Sequence, residues 1–363
     1  MKTEVKTVDR GAPPFPQPAT VAERLVLSSL RAMRTGRLYL ELPDGRTCFF
    51  GRTPEDPRVG KEEAPGNEPQ VVIRIRQTGF FRRCLLYGDI GFAESYMAGE
   101  WETDDLTMVI RWFLANLEQA PAVSGSRRGR AGLNVLRLVN RLSHLARPNS
   151  LSTSRRNISE HYDLSNAFFS TFLDKGMTYS SALWTRPDLT LEEAQQAKHD
   201  RLCHQLRLKA GDRILELGCG WGSFAVYAAR NYECRVTALT LSKEQYTHAF
   251  KAVGEAGMRS LVEIRLEDYR DHRGCYDKIA SIEMLEAVGH RYLPKFARAC
   301  HRFLVPTGLM ALQFIVYPDS RYAELRRNVD FIQKHIFPGS LLLSQNRLNS
   351  LLAAEGGFWL HDR

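Results

Sequence analysis

A glycine-rich turn between a strand and a helix constrains the fold of this chain more than any other feature. The segment Ile214-Leu-Glu-Leu-Gly-Cys-Gly-Trp-Gly222 joins a predicted strand to a helical stretch, 223–232. Its three glycines permit a tight turn and a close approach of a ligand to the backbone at the carboxyl end of the strand. Glu216 stands just before them, where its carboxylate is placed to meet a cationic or hydroxylated ligand.

Strands and helices alternate from about residue 190, which predicts an α/β, doubly wound, Rossmann-like sheet. A nicotinamide dinucleotide is disfavoured as the ligand. Ser223 stands where the dinucleotide fingerprint needs its third glycine, and the second strand ends without an acidic residue. A glycine-rich turn in another kind of α/β protein stays open. The predicted strands are residues 213–218, 235–240, 262–266, 278–282, 309–315 and 358–361.

A length of 363 residues indicates more than one domain. A turn at Pro43-Asp44-Gly45 predicts a hairpin, residues 71–76 read as another strand, and Asp104-Asp105 cap a predicted helix over 106–119. The predicted organisation is a flexible tail (1–24), a small N-terminal α+β domain (25–119), a basic amphipathic linker or helix (120–150) and a catalytic domain (151–363).

Positive charge is concentrated in one stretch. The chain carries a net charge of +9, and residues 121–160 supply eight arginines against one acid. Within it, residues 133–147 can be drawn as an amphipathic helix with a basic face, which is typical of a helix lying on an anionic membrane surface. The alternative is a helix packed on a neighbouring domain with solvated arginines. Nucleic acid is a less favoured partner, because no DPPY-like or Pro-Cys motif follows the fourth strand.

Several classes of protein are disfavoured by composition. No run of about 18 apolar residues is long enough to span a bilayer, and the N-terminal residues contain no apolar core of a secretory signal. Seven cysteines form no CxxC pair, and the histidines form no HxxxH or Cys/His cluster, so no metal site is predicted. We therefore expect a cytoplasmic protein that is peripheral to the inner face of the membrane.

Four ordered motifs together resemble the cyclopropane-fatty-acyl-phospholipid synthase family, whose members have an S-adenosylmethionine-dependent methyltransferase fold. The first is the glycine turn, in the form E-x-G-x-G-x-G. The others are segment 157–184, with His161-Tyr162-Asp163 and Tyr179-Ser180-Ser181, then Thr240–Gln245, and Glu283-Met-Leu-Glu-Ala-Val-Gly-His290. The resemblance extends from about residue 155 to the last residue, and the N-terminal unit resembles the domain that longer bacterial members carry.

The resemblance implies that S-adenosylmethionine is the cofactor and assigns residues to it. Tyr179 as a core residue and Gln245 as a solvated helix residue are the alternative interpretations. The implied cofactor-binding residues are Tyr179, Ser180, Glu216, Gly218, Gly220, Thr240, Leu241, Gln245 and Tyr269.

The resemblance also implies a catalytic base. Alkylation of a double bond by a sulfonium methyl gives a carbocation, which must lose a proton from the new methyl group to close a ring. In the family a bound bicarbonate fills this role, and its holders correspond to Ser181, Glu286, Gln313 and the backbone of Ile315. Glu286 is the strongest candidate; the alternative is an acid favoured at a helix N-terminus.

Two departures from the family pattern leave the product open. Many members have Cys where Ser181 stands and His where Gln313 stands. The segment Leu312-Gln-Phe-Ile315, which contains Gln313, resembles the plant-type branch of the family. The leading function is cyclopropane formation on unsaturated phospholipid acyl chains. A lipid methyltransferase with a methyl-branched or furan-type product is the runner-up.

The C-terminal end departs further from the family pattern. The fold class has seven strands and six are predicted here, so we expect the chain to be short at its C-terminal end. An inactive lipid-binding relative is therefore a third possibility. The sequence leaves open whether the chain forms a homodimer.

Overall fold

The computed structural model describes residues 20–51, 70–117 and 165–362. They belong to two compact units, one within residues 1–139 and the other within 140–363. The basic segment 121–160, its predicted helix and His161-Tyr162-Asp163 lie outside the described residues. The predicted tail is corrected at its end: helix α1 (Val21–Leu30) begins inside it, because the Thr20 hydroxyl caps the helix by accepting the Glu23 N–H at 3.1 Å.

The N-terminal unit contains a four-stranded sheet with the order β2-β1-β3-β4. The predicted hairpin is confirmed, since β1 (Arg37–Glu41) pairs antiparallel with β2 (Thr47–Gly51). Strand β3 (Gln70–Ile75) runs parallel to β1, and β4 (Trp101–Glu102) runs antiparallel to β3.

The described part of the N-terminal unit also contains two further helices. They are α2 (Gly79–Met97) and α3 (Leu106–Ala115). Asp105 caps α3 by accepting the Met108 N–H at 2.9 Å, as the sequence predicts. The helix ends at Ala115 and not at 119, because the Asn116 backbone is no longer helical (φ −107°, ψ 11°). The Asn116 side-chain amide instead bonds to the Thr35 N–H and carbonyl, each at 2.8 Å.

The catalytic unit is built on five parallel strands with the order β7-β6-β5-β8-β9. Chain order reverses direction between β5 and β8, and in such sheets ligands bind at the carboxyl ends of the strands beside this point. The inner strands bury apolar residues such as Ile214, Val236 and Ile279, as expected for a parallel sheet covered by helices. Their bounds are Arg213–Leu217 (β5), Arg235–Thr240 (β6), Val262–Leu266 (β7), Tyr276–Ile282 (β8) and Leu304–Gln313 (β9).

Helices cover both faces of this sheet and form two apolar clusters with it. A short 3-10 turn, Leu285–Ala287, follows β8, and 319–321 and 332–336 form further single turns. The helices are α4 (Asn166–Phe169), α5 (Leu191–Gln205), α6 (Ser223–Tyr232), α7 (Lys243–Glu255), α8 (Leu293–Phe303), α9 (Tyr322–Leu325) and α10 (Gln345–Gly356).

The predicted sixth strand, 358–361, is wrong. Gly357 adopts a left-handed conformation (φ +66°) that ends α10, and the Phe358 N–H donates to the Leu352 carbonyl at 3.2 Å. The Phe358 side chain packs on the apolar cluster beside this helix end, while Trp359 is 93% exposed. The apolar residues therefore cap a helix. Within 165–362, no segment pairs with the outer edge of β9.

None of the helices in the described ranges is long and apolar enough to cross a membrane.

Candidate functional site

The three glycines after β5 have different tasks. All have positive φ (+81°, +54° and +91° for Gly218, Gly220 and Gly222). A Cβ at Gly218 would meet the Met284 side chain at 2.6 Å, and one at Gly222 would meet Ala249 at 3.0 Å, so these two allow close packing. A Cβ at Gly220 would meet nothing within 4 Å and would enter the cavity that Gly220 lines. Gly220 therefore keeps space open for a ligand.

Glu216 brings a buried carboxylate to the edge of that cavity. Its side chain is 2% exposed, and its Oε2 has no hydrogen-bond partner among the described residues. Burial raises the pKa of Glu216 to about 8, against the opposing effect of the Lys198 charge. A buried acceptor without a partner is costly, and ligand hydroxyls would satisfy it. Glu216 therefore fits the ribose end of a nucleoside.

A single cavity collects every residue that the sequence assigns to the cofactor. It lies at the carboxyl ends of β5, β6 and β8. Its lining includes Tyr179, Ser180, Glu216, Gly218, Gly220, Thr240, Leu241, Gln245 and Tyr269.

The turn after β6 supplies a closed polar network. The Thr240 hydroxyl donates to Gln245 Oε1 at 2.8 Å and accepts the Ser242 N–H at 3.2 Å. The Ser242 hydroxyl caps α7 by accepting the Gln245 N–H at 3.2 Å. Gln245 is buried and is therefore not the solvated helix residue of the alternative interpretation.

Tyr269 forms an aromatic wall of the cavity. Its ring meets Phe296 edge-on at 5.8 Å, and burial raises the pKa of its hydroxyl. The neighbouring Arg270 and Asp268 form a bidentate ion pair with N–O distances of 2.6 and 2.8 Å. This buried pair fixes the loop after β7 and hence the position of the Tyr269 ring.

Helix α5 holds the Tyr179-Ser180 segment through two buried polar side chains that sequence analysis missed. Lys198 Nζ donates to the Ser180 hydroxyl at 2.6 Å, and Gln195 Nε2 donates to the Ser180 carbonyl at 2.8 Å. Burial lowers the pKa of Lys198 to about 8. The sequence did contain a signal for their burial. Gln195 and Lys198 are three residues apart and lie on the helix face that also carries the buried residues Ala194, Leu202 and Cys203.

The predicted catalytic residues form two pairs. Gln313 Nε2 lies 3.1 Å from the Ser181 hydroxyl, and the Ile315 N–H donates to Glu286 Oε1 at 2.6 Å. Glu286 Oε2 is buried and has no hydrogen-bond partner among the described residues. Burial raises the pKa of Glu286 to about 6, and the charge of Glu283 adds to the shift.

Glu283 connects this group to the cofactor cavity and was not among the predicted catalytic residues. Its Oε1 accepts the Ser181 N–H at 2.8 Å and Gln313 Nε2 at 2.9 Å. Glu283 also lines the cavity, beside Met284 and Ile282. The sequence did contain a signal for this residue: Glu283 directly follows the fourth predicted strand (278–282) and stands three residues before Glu286.

The residues of the cavity fit S-adenosylmethionine: a buried carboxylate for hydroxyl groups, a glycine turn that a side chain would block, and an aromatic wall. The fold and this site define an S-adenosylmethionine-dependent methyltransferase. The family model for mycolic acid cyclopropane synthetase matches residues 149–363, and the chain belongs to that family.

Individual relatives agree with this assignment. The chain is 38% identical over 302 residues to the tuberculostearic acid methyltransferase UfaA1 of Mycobacterium tuberculosis, covering 81% of this chain and 68% of the relative. It is 38% identical over 295 residues to the cyclopropane-fatty-acyl-phospholipid synthase of Escherichia coli K12, covering 80% and 71%. The solved structure of the mycolic acid cyclopropane synthase CmaA1 of that family, complexed with SAH and CTAB, is 34% identical, with a TM-score of 0.52 over 56% of this chain and 74% of that one.

Cofactor binding is expected to release protons near neutral pH. Because the pKa of Glu216 is raised to about 8, most of this group is protonated at pH 7. A carboxylate that accepts ligand hydroxyls beside a sulfonium is favoured in its ionised form. The affinity for S-adenosylmethionine should therefore rise with pH up to about 8. Calorimetry in buffers of different ionisation enthalpy measures the released protons.

Glu216→Gln is the matched variant for this prediction, since it keeps an acceptor oxygen but cannot ionise. It should remove the part of the proton release that Glu216 contributes. Equal proton release from the parent protein and the variant would contradict the assignment of the shifted pKa to Glu216.

Proposed function

We propose that this chain transfers a methylene group from S-adenosylmethionine to the cis double bond of unsaturated acyl chains in phospholipids, forming cyclopropane fatty acids. One observation carries the proposal. Two carboxylates, Glu283 and Glu286, meet the Ser181–Gln313 pair and the Ile315 backbone beside a cavity suited to the methyl donor.

This arrangement suits a reaction that passes through a cation on the substrate. S-adenosylmethionine supplies an electrophilic methyl group. Carboxylates at low dielectric stabilise the positive charge that develops on the alkene carbon, and a nearby base must accept the proton when the ring closes. The burial of Glu286 provides such an environment.

An apolar surface begins at the same point. Ile315 and Val316, two and three residues after Gln313, are 47% and 55% exposed, and the Ile315 N–H is bound to the Glu286 carboxylate. Single exposed apolar residues are common, but two that adjoin a reactive carboxylate suit a hydrocarbon substrate. This surface supports an acyl chain over a polar methyl acceptor.

Bicarbonate as the base stays a prediction. The donors assigned to it are already engaged in this structure. The Ile315 N–H is bound to Glu286, and the Ser181 N–H and Gln313 Nε2 are bound to Glu283. An anion among these groups would face two carboxylates.

A methyl-branched product is the second candidate. The identity to the tuberculostearic acid methyltransferase equals that to the cyclopropane synthase, at 38%. Both reactions begin with the same methyl transfer, and they differ in how the cation on the acyl chain is discharged.

Mass spectrometry of lipids from cells that express this chain tests the proposed function. We expect phospholipid acyl chains heavier by one methylene unit that resist catalytic hydrogenation, because a ring holds no reducible double bond under mild conditions. Glu286→Gln is the control. Heavier chains that take up hydrogen would favour an unsaturated methyl-branched product, and unchanged acyl chains would contradict both.

Attachment to an anionic membrane surface belongs to the same proposal and rests on the charge of residues 121–160. Binding to vesicles of phosphatidylglycerol should weaken as salt rises, because exposed charges are screened beyond about 10 Å at 0.1 M. Reversing the charge of Arg137 and Arg141 should weaken it further in a sedimentation assay. Equal binding to vesicles of neutral lipid would contradict a role of these arginines in attachment.

A further inference from the structure

Glu283 has a strained backbone at the edge of the cofactor cavity. Its φ is +48°, in the left-handed region that costs a residue other than glycine about 1 kcal/mol or more. Such strain persists only where the surroundings impose it. Here the Glu283 N–H donates to the Gln313 carbonyl at 2.8 Å, which ties the end of β8 to β9.

The carboxylate binds two of the four groups that the family resemblance assigns to bicarbonate. Glu283 Oε1 accepts the Ser181 N–H and Gln313 Nε2 at 2.8 and 2.9 Å. Gln313 Nε2 also contacts the Ser181 hydroxyl and carbonyl at 3.1 and 3.2 Å. A carboxylate and bicarbonate present similar acceptor oxygens, so the same donors serve either one. Binding both at once would bring like charges together.

Glu283 also lines the cofactor cavity, together with Tyr179, Glu216 and Gly218. The negative charge of Glu283 contributes to the raised pKa of Tyr179 and of Glu286. It also opposes the lowering of the Lys198 pKa by burial. The carboxylate thus adjoins both the cavity lining and the Ser181–Gln313 pair.

We propose that Glu283 is the general base of ring closure in this chain, in the place that the resemblance assigns to bicarbonate. The inference rests on the proposed function. The alkene π electrons form a bond to the methyl carbon while the C–S bond breaks and leaves its electron pair on sulfur. Glu283 then takes a proton from the new methyl group, and the C–H electron pair forms the second ring bond to the cationic carbon. The protonated carboxyl later returns its proton to solvent.

Bicarbonate depletion and two variants test this inference on the full chain. Turnover of the parent protein should be unchanged in CO2-free buffer. Glu283→Gln keeps an oxygen for Ser181 and Gln313 but is a poor base, so turnover should fall about 10²–10⁴-fold. Glu283→Gly accepts the positive φ and vacates the carboxylate position, so its lost turnover should be partly restored by added bicarbonate or formate. Glu263→Gln, on the exposed face of β7, is the matched control.

Two readouts separate this inference from the proposed function. Calorimetry should show that both Glu283 variants still bind S-adenosylmethionine, because the residues assigned to the cofactor (Glu216, Gly220 and Tyr269 among them) are unchanged, although the altered side chain lies in the cavity lining. NMR of ¹³C-bicarbonate should show binding to Glu283→Gly and not to the parent protein.

Ring formation by the parent protein that stops without bicarbonate, or bicarbonate binding to the parent protein, would overturn the inference. Near-normal turnover of Glu283→Gln would reduce Glu283 to a positioning residue. Absence of any ring product from the parent protein would refute the proposed function, and the NMR result would still decide what occupies this position.

Discussion

Glu286→Gln is expected to lower turnover about 10²–10³-fold while leaving the affinity for S-adenosylmethionine within a small factor of the parent value. The carboxylate lies outside the group of side chains that line the cofactor cavity, and its Oε1 holds the Ile315 N–H at 2.6 Å. Glutamine can keep that hydrogen bond through its amide oxygen. Under the proposed function, the substitution removes the negative charge that would stabilise a cation on the acyl chain. Single-turnover rates and calorimetry measure the two quantities separately.

The same variant should not be less stable at high pH. Burial raises the pKa of Glu286 to about 6 from 4.5, so the folded state disfavours the ionised form. The resulting loss of stability grows as pH rises from about 4.5 to 6 and then stays near 2 kcal/mol. Glu286→Gln should therefore melt at an equal or higher temperature at pH 8. Near-normal turnover of this variant would show that Glu286 only ties the Ile315 backbone to the loop after β8.

Gly220→Val is expected to abolish detectable binding of S-adenosylmethionine. Gly220 has φ +54°, and a side chain there would enter the cavity without meeting any protein atom within 4 Å. The two branches of valine would take up space that the cofactor needs. The variant should remain folded, because it creates no clash with the protein itself. Calorimetry at high protein concentration measures the loss.

Gly211→Val is the matched control for that variant. Gly211 also has positive φ (+84°) and open space around its Cβ, but it precedes β5 and does not line the cavity. It should carry similar backbone strain and keep its affinity for the cofactor. Unchanged affinity in a folded Gly220→Val protein would remove the glycine turn from the cofactor site.

Local signals in the sequence predicted the turn and the strand ends that line the cavity. Gly218, Gly220 and Gly222 favour a turn because glycine readily adopts a positive φ, and the parallel strands carry buried apolar residues such as Ile214 and Ile279. The sequence therefore placed Glu216 and Thr240 correctly at strand ends that meet at one edge. The error at 358–361 has the same origin, since a short apolar run reads as a strand whether it pairs or caps a helix.

The catalytic half depends on contacts between distant parts of the chain. Ser181 and Gln313 are in contact although 132 residues separate them in the sequence. Glu283, which binds both, has a strained backbone with positive φ that residue propensities do not predict. Lys198 looks like a solvated helix residue until the packing of α5 buries it beside Ser180. Family resemblance supplied Ser181, Gln313 and Glu286, and the structure was needed for Glu283 and Lys198.

The most direct test of ring formation uses S-adenosylmethionine with a fully deuterated methyl group. The purified chain is incubated with phospholipid vesicles that contain cis-monounsaturated acyl chains, and the products are analysed by mass spectrometry before and after hydrogenation. Ring closure removes one deuterium from the transferred group, so we predict acyl chains that retain two of the three deuterium atoms and resist hydrogenation. Products that retain all three deuterium atoms, or that take up hydrogen, would contradict cyclopropane formation.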